Sequence, residues 1–358
     1  MSQPERRAAP VLSVMDMVPV SAGHSRADAL TDMIALARAA DVAGYEHFWL
    51  AEHHGSTTYL SSATIVLMGQ VLAATERMGV ASGGIMLPNH APLVVAEQIG
   101  TLATLYPGRV ELGLGRAPGT DRLTAAALRR GASDPGRFAE EILEILTYLG
   151  DEPVPERLPG SLLLGASSAP DDAAQMPGPD APRVRAIPGE GTHPTVWVLG
   201  SSVNGARVAG RLGLPFAVAS HFAPVQAEAA IATYRSVLES RAEEAQSAQA
   251  LRPVPRVAAA VNVMVAPSQD EARFLFSTAM AAAARIVGNR PAPLDPPTED
   301  PQAWRAYAPG REAAVETAMS LSFVGTADDV AARLRELADR WDLDEILVVT
   351  YAHDPALR

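Results

Sequence analysis

Apolar runs and amphipathic stretches alternate along most of the chain. VLSVMDMVPV (11–20), YEHFWLAEHH (45–54) and TVWVLG (195–200) are apolar and rich in β-branched or aromatic residues, which is typical of buried strands. Between such runs lie stretches with apolar residues at helical spacing, such as 26–44, which ends at Gly44. The pattern predicts eight strands, each but the last followed by a helix, and therefore parallel strands joined by helical crossovers.

The number and order of these elements indicate an architecture. The predicted strands cover 11–20, 45–54, 78–88, 109–115, 195–200, 214–220, 256–267 and 345–351. Eight strands in strict alternation with helices favour an α/β fold, a TIM-like (β/α)8 barrel, over an open doubly wound sheet. Two Pro-rich stretches, 151–194 and 289–310, interrupt the alternation as loop excursions, and the second is a candidate lid. We expect one barrel domain spanning 1–358.

Charge and hydropathy limit the binding partners and the cell compartment that we expect for this protein. The 358 residues carry a net charge of −12, and the basic residues form no stripe, which argues against nucleic-acid binding. The apolar runs are too short and too broken to span a membrane. The N-terminus lacks the apolar core of a secretory signal, so we expect a soluble cytoplasmic protein.

Two missing residue types exclude several chemistries. The chain has no cysteine, which rules out disulfides, thiolate catalysis and Cys-ligated metals. All 29 basic residues are arginine. Without a lysine amine, a Schiff-base enzyme and a Walker A nucleotide site are excluded as well.

Polar residues follow several predicted strands. In a barrel, catalytic groups lie where strands end and the loops to the next helices begin. Five such places carry polar or glycine residues: Glu52-His53-His54, Gly83-Gly84 to Asn89-His90, Gly115-Arg116, Gly200-Ser201-Ser202 and Ser220-His221. We expect these groups to converge on one rim of the barrel.

The first group, Glu52, His53 and His54, allows three interpretations. Successive strand residues point to opposite faces, and neither an H-x-H nor an H-E-x-x-H spacing is present, so we predict no metal. A hydrogen-bonded rim cluster is the second interpretation. In the third, the histidines act as acid/base groups, because their pKa lies near working pH, and Glu52 contacts a cofactor.

The other groups are consistent with a flat, phosphate-bearing ligand. Paired glycines within a strand, Gly83 and Gly84, mark a bulge, a packing contact or a backbone left bare for a planar ring. Arg116 could pair with a carboxylate or hold a phosphate in a bidentate fork. Gly200, Ser201 and Ser202 lead into a helix; they form either a simple cap or an anion site for a phosphate monoester.

Several of these segments resemble the luciferase-like monooxygenases, the family of bacterial luciferase. The resemblance runs through nearly the whole chain and lies in FWLAEHH, SGGIMLPNHAPLVVAEQIGTLATLYPGRVELGLGRAPGTD, LGSS and LGLPFAVASHFAP. It implies a TIM-like barrel, often dimeric, that binds reduced FMN or, in one branch, the deazaflavin F420. Luciferase differs from this chain at Gly115, where it has cysteine, and near Gly200, where it has glutamate. The resemblance therefore implies flavin binding without implying light emission.

The resemblance also implies roles for single residues. His53 matches an active-site histidine beside the flavin ring, and Gly83-Gly84 matches a position that often has a non-proline cis peptide. Arg116 and the Gly200-Ser201-Ser202 loop match the flavin phosphate site.

We therefore expect a monooxygenase that uses reduced FMN, supplied by a flavin reductase, and O₂ to oxygenate a small organic substrate, and that forms a homodimer. The expected catalytic residues are His53, His54 and His221, with Asn89 and His90 nearby. An F420-dependent hydride transfer, a metal-dependent hydrolase and a non-catalytic flavin-binding protein are the alternatives.

Overall fold

A computed structural model describes residues 9–117, 119–128, 135–150, 184–245 and 256–358. Most of the first Pro-rich excursion, 151–183, lies outside the described residues. In the part of the chain that is described, no helix has the length and apolar character needed to cross a membrane.

Eight parallel strands form a closed barrel, as the sequence pattern predicts. The described strands are β1 (Val11–Asp16), β2 (His47–Leu50), β3 (Gly79–Ser82), β4 (Ile85–Met86), β5 (Val110–Gly115), β6 (Thr195–Gly200), β7 (Phe216–Val218), β8 (Val257–Val265), β9 (Ser322–Gly325) and β10 (Glu345–Val349). The barrel closes through β10, which pairs with both β1 and β8. Short β4 follows β3 and pairs with β5, and β9 pairs with the far end of β8.

Helices follow the strands around the outside of the barrel. They are α1 (Arg26–Ala43), α2 (Thr64–Ala74), α3 (Pro92–Leu105), α4 (Arg122–Leu128), α5 (Phe138–Leu149), α6 (Val203–Leu212), α7 (Ala227–Ala245), α8 (Gln269–Val287), α9 (Glu312–Ala318) and α10 (Ala327–Trp341). Strand β9 and helix α4 are additions to the elements that the sequence predicts.

Local sequence explains where α1 begins and ends. The Ser25 side chain accepts a bond from the Asp28 backbone, and the Asp28 carboxylate accepts one from the Ser25 backbone, which is a capping box. Gly44 ends the helix at φ 82°, a left-handed conformation that glycine adopts without a Cβ clash. Strand β2, in contrast, is buried at all four positions, as expected for a parallel strand covered on both faces.

Two tryptophans fill the middle of the barrel. The rings of Trp49 and Trp197 meet edge to face, with centroids 5.3 Å apart. Towards the carboxyl ends of the strands, β7 and β8 contribute the small residues Ala217 and Ala260, both buried. The interior is therefore solid at the tryptophan layer and leaves space above it.

A charged network lies below the tryptophans, at the amino ends of the strands. Glu345 is fully buried; it accepts bonds from Ser13 at 2.6 Å and from the Trp49 indole at 2.9 Å, and lies 2.9 Å from His47 Nδ1. Arg256 bridges Glu345 and Glu111. Burial opposes a charge on His47, but the two carboxylates outweigh it and raise its pKa to about 10. At the amino end of a barrel, such a network serves stability.

The second Pro-rich stretch, 289–310, packs against the loops that follow β1 and β2. Thr58 donates to the Ala292 carbonyl at 2.7 Å, and the Leu294 amide donates to the Val20 carbonyl at 2.7 Å. Trp304 is buried under α8 and α9. No residue of 289–310 is among the described residues that line the cavity presented below, and the lid role stays a prediction.

Two helical glycines give a matched test of helix packing. An added Cβ at Gly100 in α3 would lie 2.2 Å from Gly189 Cα, whereas at Gly69 in α2 it would make an ordinary 3.4 Å contact with Leu102. We expect Gly100→Ala to lower the free energy of unfolding by about 1 to 3 kcal/mol through overpacking. Gly69→Ala is expected to raise it by up to about 1 kcal/mol through helix propensity. Urea unfolding of both variants checks this, and equal effects would contradict the assigned close approach.

Candidate active site

A cavity of about 210 Å³ opens at the carboxyl ends of the barrel strands. Its polar side chains are Glu52, His53, Arg116, Ser201, Ser202 and His221. Most of the remaining lining is apolar, including Met15, Met17, Met86, Leu199 and Leu347. Small polar clusters on a largely apolar wall are typical of sites for organic ligands.

The cavity brings together eight of the ten site residues that the sequence predicts. Glu52, His53, Gly83, Arg116, Gly200, Ser201, Ser202 and His221 line it. His54 and Gly84 do not: the His54 ring turns to Glu52, and Gly84 faces the neighbouring strand.

Glu52 is the centre of a hydrogen-bonded cluster at the rim. Its carboxylate lies 2.7 Å from His54 Nε2 and 2.9 Å from His90 Nε2, and it accepts bonds from the Asn89 side chain and the Met86 amide. Burial alone would raise the pKa of Glu52, but the bonds from His90, His54 and Asn89 outweigh it and lower that pKa. The carboxylate is therefore charged, and it connects the loop that carries His54 to the loop that carries His90.

The same cluster has the composition of a metal site. One ligand atom each from Glu52, His54 and His90 lies within 4.8 Å of the others. However, both carboxylate oxygens already accept hydrogen bonds, including those from Asn89 and Met86, so the arrangement is satisfied without a cation. The geometry favours the interpretation as a hydrogen-bonded rim cluster.

Two histidines line the cavity, His53 after β2 and His221 after β7. Burial lowers the pKa of His53, and the charge of Glu52 opposes this shift. Burial, with a smaller contribution from His53, lowers the pKa of His221 to about 3. His221 is 7% exposed, and its Nδ1 has no hydrogen-bond partner among the described residues. His221 is therefore uncharged at neutral pH, and the lowered pKa of His53 favours its neutral form, which can accept a proton as a base.

The loop that carries His221 is fixed by strand β8. Asn262 donates from its side chain to the His221 carbonyl at 2.7 Å, and the Ser220 hydroxyl donates to the Ala260 carbonyl at 2.7 Å. Asn262 is not among the site residues that the sequence predicts. The available signal was a single amide residue inside the buried run VAAAVNVMV.

The twin glycines differ in their surroundings. The peptide bond between Gly83 and Gly84 is cis, as the resemblance implies. A Cβ on Gly83 would lie 2.9 Å from Met15 Cε, and one on Gly84 would lie 2.7 Å from the Gly113 carbonyl oxygen. Close packing therefore requires glycine at Gly84, where the clash is with backbone, whereas the end of the Met15 side chain could move aside at Gly83. Of the two, only Gly83 contributes surface to the cavity. The expectation that the pair forms a floor for a flat ligand stays a prediction.

One corner of the cavity suits an anion. Ser202 precedes α6 without capping it through its side chain, and Gly200 and Ser201 lead into it. Arg116 is exposed at the end of β5 and forms no ion pair with any residue that the structure describes. Serine hydroxyls, helix amide groups and a free guanidinium are the donors that hold a phosphate, so this corner fits the phosphate tail of a flavin mononucleotide.

Sequence comparison assigns this chain to a known group. The family model described as luciferase-like monooxygenase matches residues 12–342. The chain is a luciferase-like monooxygenase family member. A luciferase-like monooxygenase of Escherichia coli (strain K12) is 39% identical over 337 residues, which cover 94% of this chain and 90% of that protein.

A solved structure has the same fold over nearly the whole chain. The crystal structure of apo-MsnO8 aligns with a TM-score of 0.75 and 30% identity, over 98% of this chain and 95% of that one.

Two more distant neighbours show the fold alone. The oxygenating constituent of 3,6-diketocamphane monooxygenase from Pseudomonas putida, in complex with FMN, has a TM-score of 0.65 and 19% identity, covering 98% and 94% of the two chains. An F420-dependent secondary alcohol dehydrogenase has a TM-score of 0.61 and 16% identity, covering 96% and 94%. Structural neighbours of this luciferase-like chain thus bind FMN or F420.

Proposed function

We propose that this chain is a flavin-dependent monooxygenase that uses reduced FMN and O₂ to oxygenate a small organic substrate. The observation that carries the proposal is one cavity that joins a phosphate-compatible corner, an apolar interior, the buried His221 and the half-buried His53. This combination fits a flavin and supplies what the protein must add to the cofactor's own chemistry.

Each group in the cavity has a defined task in this proposal. Arg116, Ser201 and Ser202, with the first amide groups of α6 and the Gly200 backbone, hold the phosphate. Bound reduced flavin supplies the electrons that activate O₂. The methionines and Leu347 exclude water from the reacting atoms.

The histidines divide the proton chemistry. His53 accepts or donates the proton at its imidazole, and His221 donates or accepts a hydrogen bond without changing charge. Glu52 contacts the cofactor from the rim, and His54, which lies behind Glu52, positions that carboxylate instead of touching the ligand.

The wider setting of the proposal follows the family. A separate flavin reductase delivers the reduced cofactor, the enzyme works as a homodimer, and it is located in the cytoplasm. O₂ consumption that depends on an added organic substrate would separate this function from simple flavin storage.

An F420-dependent hydride transfer is the second candidate, favoured by the F420-dependent neighbour. Titration of the protein with FMN and with F420, followed by flavin fluorescence, decides between them. We expect FMN to bind and Arg116→Ala to weaken binding about tenfold or more, because a charge-assisted bond to phosphate is lost. Arg38→Ala, an exposed arginine on α1, is the matched control and should leave affinity unchanged. Tight binding of F420 with none of FMN would overturn the proposal.

A further inference from the structure

Three methionines line the cavity, and one of them is held differently from the others. Met15, Met17 and Met86 all contribute to the lining. The Tyr351 hydroxyl donates a hydrogen bond to Met17 Sδ at 3.0 Å. In the part of the chain that the structure describes, no donor is bonded to the sulfur of Met15 or Met86. Met17 is therefore the one cavity thioether among the three whose sulfur is engaged.

The donor is itself fixed in place. Tyr351 follows β10, is 9% exposed, and packs against the equally buried Tyr59. Their rings lie 5.9 Å apart, and the Tyr59 ring lies 5.4 Å from that of His53. Burial, reinforced by Tyr59, raises the pKa of Tyr351 well above its ordinary value. The phenol thus stays protonated and able to donate.

Thioethers are vulnerable in such a place. A peroxide converts methionine to its sulfoxide: a sulfur lone pair attacks one peroxide oxygen, the O–O bond breaks and an S–O bond forms. Sulfur loses two electrons. With hydrogen peroxide, the proton on the attacked oxygen passes to the second oxygen, which leaves as water. A sulfoxide is polar, so it would disturb the apolar wall of the cavity.

We propose that the Tyr351 hydroxyl protects the Met17 thioether from oxidation inside the cavity. The hydrogen bond engages one of the two lone pairs of the sulfur and so lowers its nucleophilicity, and the buried phenol covers that side of the sulfur. This purpose rests on the proposed function, since an enzyme that combines reduced flavin with O₂ exposes its own cavity to peroxides.

The test treats the protein with hydrogen peroxide, without any flavin. Wild type and Tyr351→Phe are digested at time points, and tandem mass spectrometry measures sulfoxide at Met15, Met17 and Met86 separately. We expect the rate at Met17 to rise about two- to tenfold in the variant, while the other two rates stay the same.

A control variant separates protection from a change in shape. Tyr59→Phe removes the neighbouring hydroxyl but keeps the bond from Tyr351 to Met17, so Met17 should oxidise at the wild-type rate. An unchanged Met17 rate in Tyr351→Phe overturns the proposal. An equal rise at all three methionines does so too, because it shows an opened cavity, as does an equal effect of Tyr59→Phe.

The peroxide experiment is independent of cofactor binding. If the protein binds no FMN, the proposed function fails while a selective rise at Met17 still supports protection. If the oxidation rate of Met17 is the same with and without the Tyr351 hydroxyl, the proposed protection is wrong. The flavin titration then still tests the proposed function.

Discussion

Replacing His53 with glutamine is expected to lower turnover by about 10²- to 10⁴-fold, the usual contribution of a positioned acid/base group. Glutamine keeps a similar size and polarity but cannot carry a proton. FMN affinity should change little, because His53 lies away from the phosphate corner. Measurement of kcat and of FMN binding on the same preparations checks both statements.

The neighbouring histidine provides the matched control. His54 is outside the cavity lining, and glutamine at that position can still donate to Glu52, so His54→Gln should lose less than about tenfold. Full turnover in His53→Gln, or an equal loss in both variants, would refute the assigned role.

The pH dependence of the reaction gives a second readout for His53. Burial lowers the pKa of this imidazole, so the imidazole remains neutral down to a lower pH than an exposed histidine does. If His53 acts as a base in the free enzyme, the acid limb of kcat/KM lies below pH 6.5, the ordinary histidine value. That limb should disappear in His53→Gln.

Glu345→Ala is expected to lower the free energy of unfolding by about 3 to 5 kcal/mol, since it removes the buried carboxylate that pairs with His47 and Arg256 and leaves both groups with Glu111 alone. Glu345 lies 2.9 Å from His47 Nδ1 and 3.2 Å from Arg256. The control variant Glu46→Ala removes an exposed carboxylate directly before His47. It should change the free energy of unfolding by less than about 0.5 kcal/mol. Urea unfolding at pH 6.5 compares the two variants, and a small effect of Glu345→Ala would contradict the role of the network.

Alkaline pH tests the same network without a mutation. The pKa of His47 is raised to about 10 from 6.5, so its charged form stabilises the folded state. That contribution is complete below pH 6.5 and is lost as the pH rises towards 10. Wild-type stability should therefore fall across this window, and Glu345→Ala should fall less steeply.

The barrel could be predicted because its strands have a strong local signature. Parallel strands buried on both faces form continuous apolar runs, and glycines such as Gly44 punctuate them. The elements that were missed are short: β9 has four residues and α4 has seven, too few for a periodic pattern. Strand β2 ends at Leu50, before the predicted limit, because Glu52 and His54 turn into the rim cluster.

The candidate site was predictable for a topological reason. Strand ends converge on one rim in a parallel barrel, so Glu52, Arg116 and His221 could be grouped from their positions alone. The network around His47 could not, because its partner Glu345 is 298 residues away in sequence. Contacts of that range leave no local pattern, and the same holds for the bond from Tyr351 to Met17.

The edge-to-face pair of Trp49 and Trp197 separates the amino-end half of the barrel, which holds the charged network around His47, from the carboxyl-end half, which holds the cavity. Because the tryptophan layer lies between them, substitutions in the two halves that do not touch either tryptophan should be close to additive. A new reaction could therefore be evolved or engineered at Ala217 and Ala260 while the amino-end half remains untouched. Because of the tryptophan layer, the folding stability of this barrel and the reaction that it catalyses can be changed independently.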